Sequence, residues 1–176
     1  NAYFNGYFSP DVTTTDSNLT DALQTYLSNY PYTLYFSGVP LASNPNQLTQ
    51  AHLESLASFV APSGKKISSL QGLEYAKNLT SLTIQHNAVE DLSPVWGLSS
   101  LSHLDLSEGG SITSLEGIAS LASLTYLYLD SHRISSITPL SGLPYLYHLK
   151  IKENFLDLSN LTVQTEIYDL RSRGVT

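Results

Sequence analysis

A six-residue pattern, Leu-x-x-Leu-x-Leu, returns along this chain at nearly constant spacing, and no other feature constrains the fold as tightly. It reads Leu79, Leu82, Ile84, then Leu101, Leu104, Leu106, then Leu124, Leu127, Leu129, then Leu146, Leu149, Ile151, at steps of 22, 23 and 22 residues. A fainter copy, Leu56, Phe59, Ala61, lies 23 residues before the first. Further apolar positions continue each unit: Val89, Leu92, Val95 and Leu98 in one, Ile134, Ile137, Leu140 and Leu143 in another. Side chains alternate along a strand, so the last two apolar residues of the pattern share one face. A single unit cannot cover that face, and neighbours must stack to share one core. Amphipathic helices would need apolar residues at i, i+3, i+4 and i+7 sustained over about ten residues. Pro94, Pro139, Gly97, Gly109, Gly110, Gly117 and Gly142 interrupt any such run.

The pattern therefore predicts an α/β solenoid with short parallel strands centred near 59–61, 82–84, 104–106, 127–129 and 149–151. Leu104, Leu127 and Leu149 are expected to be fully buried. Both ends of such a stack need covers. Leu19, Ala22, Leu23, Tyr26 and Leu27 share one helical face, with Asp16 or Ser17 placed as N-cap, so a helix is predicted over 17–29. A second amphipathic pattern predicts one over 47–58, and a closing helix over 163–172 ends at Gly174. The expected organisation is one structural domain: tail and helical cap at 1–55, repeats at 56–158, closing cap at 159–176.

Charged residues make up 13% of the chain, about half the ordinary share. The net charge of −7 and the lack of any basic stripe argue against nucleic acid. With no Cys, disulfides and thiolate metal sites are excluded. No apolar run approaches the ~20 residues of a membrane span. His86, His103 and His148 all fall on predicted strands or at their ends, yet two strands of separation put His103 and His148 about 10 Å apart. Zinc requires several ligands at about 2 Å, so no metal or other cofactor is expected. Neither a GxSxG elbow nor a phosphate-binding loop occurs, and an enzyme is not expected.

In their detail the repeats resemble those of bacterial internalin-like leucine-rich-repeat proteins, which run to about 22 residues. The family consensus NLTxLxLxxNxIxDLSPLxxL is close to residues 78–98. The stretch ISSLQGLEYAKNLTSL at 67–82, the DSNLTDAL helix and NFLDLS before a helix ending in RGV are similar to the family as well. The resemblance implies a leucine-rich-repeat horseshoe, secreted or attached to the bacterial surface, that binds macromolecules on its concave strand face. The family's asparagine ladder is kept at Asn87 and Asn154. It is replaced by His132 between them and by an insertion, Glu108-Gly109-Gly110-Ser111, in the second full repeat.

The outward strand positions form two columns, Val60, Thr83, Asp105, Tyr128, Lys150 and Ser58, Ser81, His103, Tyr126, His148. Aromatics there have no core to fill, and Tyr combines large contact area with a polar tip. His103, Asp105, Tyr126, Tyr128, His148 and Lys150 are therefore the candidate ligand-binding residues, for a protein or glycan partner. A second cluster, Tyr3, Phe4, Tyr7 and Phe8, is a candidate for self-association, with a self-assembling subunit of a surface filament or layer as the alternative function.

Overall fold

The computed structural model describes residues 14–29 and 48–176, residue 12, and the backbone of 2–4 and 7–9. Two strands, β1 (Ala2–Phe4) and β2 (Tyr7–Ser9), pair antiparallel with Tyr3 opposite Phe8. The side chains of Tyr3, Phe4, Tyr7 and Phe8 lie outside the described residues, and with them the self-association expectation.

Helix α1 (Ser17–Asn29) buries Leu19, Ala22, Leu23 and Leu27, the face that the sequence predicted. Asp16 caps it: one carboxylate oxygen accepts from the N–H groups of Asn18 at 2.8 Å and Leu19 at 3.2 Å. The other accepts from Ser68 N–H at 2.6 Å and Ser69 N–H at 3.1 Å, tying the cap to the first repeat. Burial raises the Asp16 pKa, but these donors outweigh it and hold the carboxyl below its ordinary range.

The second helix is shorter than predicted. Instead of covering 47–58, α2 spans only Gln50–Glu54. Leu56 and Phe59 continued the apolar pattern but serve the repeats, Phe59 within the first strand of the stack. The N-terminus of α2 is closed by a reciprocal capping box. Thr49 N–H donates to His52 Nδ1, and His52 N–H donates to the Thr49 hydroxyl.

Five three-residue strands follow: β3 (Ser58–Val60), β4 (Ser81–Thr83), β5 (His103–Asp105), β6 (Tyr126–Tyr128) and β7 (His148–Lys150). They form one parallel sheet in sequence order, and Phe59, Leu82, Leu104, Leu127 and Leu149 lie side by side in register. Each is centred about one residue upstream of its predicted centre. Leu104 and Leu127 are fully buried, as expected. Leu149 is only half-buried, contrary to expectation, because among the described residues no further repeat stacks on β7. The closing helix α3 (Leu161–Ser172) covers that end in part, with Val163 and Leu170 buried. Thr176 lies along the free edge of β7, where its N–H donates to Tyr147 O and its carbonyl accepts from Leu149 N–H, both at 2.9 Å.

Opposite the sheet the chain returns through short 3-10 turns, two of them opened by Pro94 and Pro139. A third follows Gly117, at φ +90, where an added Cβ would run into the Trp96 ring. Both the backbone conformation and the packed indole require glycine there.

Candidate binding face

The register of the sheet decides which outward side chains meet. His103, Tyr126 and His148 are direct neighbours across β5, β6 and β7, and so are Asp105, Tyr128 and Lys150. Strands about 4.8 Å apart bring ring centroids into contact range. His103 and Tyr126 lie nearly face to face at 4.8 Å, tilted by 30°. His103 meets Tyr128 at 5.4 Å and Tyr128 meets His148 at 5.6 Å, both edge-on. Lys150 Nζ sits 4.8 Å from the centre of the Tyr128 ring, within cation–π range. Five of the six candidate residues thus join one cluster on the strand face.

Asp105 does not present itself with them. It is 8% exposed. Its carboxylate accepts from the Gln85 side-chain amide and, at 3.1 Å, from Ser107 N–H. These bonds commit it to fixing the turn after β5. One residue outside the two columns extends the cluster instead, with an exposed tyrosine two positions before it. Tyr147, 55% exposed, meets Tyr126 edge-on at 6.4 Å, and the exposed tyrosine before it is Tyr145. They precede β7 rather than alternate within it; the signal that could have found them is the run Pro144-Tyr145-Leu146-Tyr147 itself.

The other half of the face differs. Beside the aromatic columns, β3 and β4 offer only Ser58, Val60, Ser81 and Thr83. Among the described residues no group of His, Asp and Glu could hold a metal ion, and no helix is long and apolar enough to cross a membrane.

Comparison with known proteins agrees with the fold that carries this face. The leucine rich repeat family model matches residues 77–134. An internalin, internalin F of Listeria monocytogenes, is 29% identical over 92% of this chain with a TM-score of 0.70. The chain has a leucine-rich-repeat fold similar to that of internalins. Internalin C2 of the same organism is 26% identical over 86% of this chain, with a TM-score of 0.56. A leucine-rich-repeat protein of Leptospira interrogans shares the fold over 70% of the chain, at a TM-score of 0.61 and 19% identity. No curated protein matches. The chain spans 42% of the internalin F chain and 70% of the internalin C2 chain.

Proposed function

We propose that this internalin-like chain is a non-catalytic, extracellular recognition module that binds a protein through the aromatic half of its concave strand face. One observation carries this reading: the fold's own register gathers His103, Tyr126, Tyr128, His148 and Lys150 into a contiguous cluster that no core requirement explains. Interfaces draw most of their affinity from such central aromatic and cationic anchors. A protein suits the cluster better than a glycan. Its rings pack against one another, largely edge to face, so they present a mixed aromatic and cationic patch more than an open row of parallel stacking platforms. The resemblance to internalins supports the module and its extracellular placement.

The test is a selection on a displayed library of extracellular protein domains alongside a glycan array, followed by affinity measurement. Protein ligands that lose at least about tenfold in affinity to Tyr126→Ala or Tyr128→Ala support the reading. Ligands insensitive to the double variant place recognition elsewhere, and tyrosine-dependent glycan signals alone replace the protein with a sugar.

A second reading, end-to-end self-association, is favoured by the apolar surface at the closing end. Phe155, Leu158, Leu161 and Tyr168 are 62–77% exposed there. Light scattering at high protein concentration tests it: a monomer removes it.

A further inference from the structure

The repeats share an internal ladder that fixes each turn after its strand, and one rung is built from different chemistry. Asn87 accepts from Ile67 N–H at 3.0 Å and donates to Gln85 O at 2.9 Å and Pro62 O at 3.4 Å. Asn154 repeats the arrangement, accepting from Ile134 N–H at 3.0 Å and donating to Leu129 O at 2.8 Å and Lys152 O at 3.0 Å. A carboxamide does this at any ordinary pH, because it does not titrate.

In the second full repeat the ladder position is Gly109, which has no side chain to offer. His132 is the rung of the next repeat, and its larger ring reaches toward the space that Gly109 leaves. Ile112 N–H donates to its Nδ1 at 3.3 Å, and its Nε2 lies 2.8 Å from Leu106 O. A neutral imidazole has one donor and one acceptor, so these partners assign the proton to Nε2. Gly109 and His132 are matched: a Cβ at 109 would lie 2.7 Å from His132 Cε1 and 2.9 Å from Asn87 O. The ring is 4% exposed.

We propose that His132 makes the 107–112 turn an acid-sensitive latch, which opens below neutral pH while the neighbouring asparagine rungs stay closed. A second proton on Nδ1 would point at Ile112 N–H, two donors meeting where a hydrogen bond had been. The charges around the ring oppose this only in part. Glu108 on the turn itself and Asp130 at the end of β6 both favour the imidazolium. The Asp130 carboxylate is engaged by Lys152 N–H at 2.7 Å, and Glu153 by the Ser131 hydroxyl at 2.8 Å; Arg133 is exposed. Burial lowers the His132 pKa and prevails over the Leu106 carbonyl and the two acids.

The sign follows. The folded-state pKa is depressed, so the rung contributes fully above the ordinary imidazole value of about 6.5. Its contribution declines as pH falls below that value, because the open form takes up the proton first. Residue-specific amide exchange on the full chain, corrected for intrinsic chemistry, reads the opening directly. Between about pH 7.5 and 5.5 the protection of the Ile112 amide is expected to fall about tenfold. Ile67 and Ile134, held by asparagines, are expected to stay level. The Gly109→Asn/His132→Asn variant, which restores a carboxamide rung, is expected to flatten the Ile112 response. The wild-type comparison decides even if that variant does not fold. Constant Ile112 protection, or an equal fall at all three amides, overturns the proposal.

Discussion

The two halves of the strand face sit on one sheet with one register, yet β3 and β4 carry small side chains where β5 to β7 carry rings and a cation. Inward, the halves are alike: Phe59, Leu82, Leu104 and Leu127 are all fully buried. The repeat dictates what points in and leaves open what points out. Ser58 and Ser81 complete their strands as well as His103 and Tyr126 complete theirs. The aromatic concentration on one half is therefore more than the strands require, and the proposed recognition face rests on that excess.

This contrast can be broken most severely from the inside. Leu82→Ala and Leu127→Ala are each expected to lose about 2–5 kcal/mol in urea denaturation, since both leave a cavity under a fully covered strand. A large asymmetry between them would deny that the halves share one core. Next comes the anchoring of the first half. Asp16→Ala is expected to cost about 2 kcal/mol at neutral pH, from the lost helix cap and the tie to Ser68 and Ser69. The Asp16 pKa is depressed below 3.8. Its stabilisation is thus present above that value and lost as pH falls through the lower folded value, which urea titrations in acid will show for wild type but not for Asp16→Asn. On the outside, Tyr126→Ala and Tyr128→Ala are each expected to weaken partner binding by more than about 1 kcal/mol, against no change for Ser81→Ala and Thr83→Ala. The smallest effect is on folding: the tyrosine variants should lose only about 0.5–1.5 kcal/mol of stability, the worth of an aromatic pair. A loss matching that of Leu127→Ala would make the cluster part of the core after all.

Most of this architecture is legible in the sequence. The leucine period located all five strands, because a side chain that must be covered by its neighbour leaves a repeating trace. The errors have local causes. The helix predicted over 47–58 ran on because Leu53, Leu56 and Phe59 satisfy helical spacing while the latter two belong to the repeats. Leu149 fits the pattern in full, but burial depends on what stacks beyond it, which a repeat unit cannot report. Asp105 occupies an outward position, yet Gln85 and Ser107 claim its oxygens, a partnership set by the adjacent strand and turn. His132 was legible as a departure from the ladder, but its fit against Gly109 requires the stacked turns. The β1–β2 pairing carries a usable signal that the repeat overshadowed, since Asn5-Gly6 between two aromatic runs favours a two-residue hairpin.

The pairing of Thr176 with the free edge of β7 also has a mechanical consequence. Tension applied between α1 and Thr176 pulls along the stack, in the direction of the sheet's hydrogen bonds rather than along its strands. Bonds loaded that way part in succession, one ladder at a time, instead of resisting together in shear. The two bonds at Thr176 form the first rung of that zipper, followed by the β6–β7 ladder. Under such a load the sheet should open in small steps, one strand pair at a time, with a low force at each step.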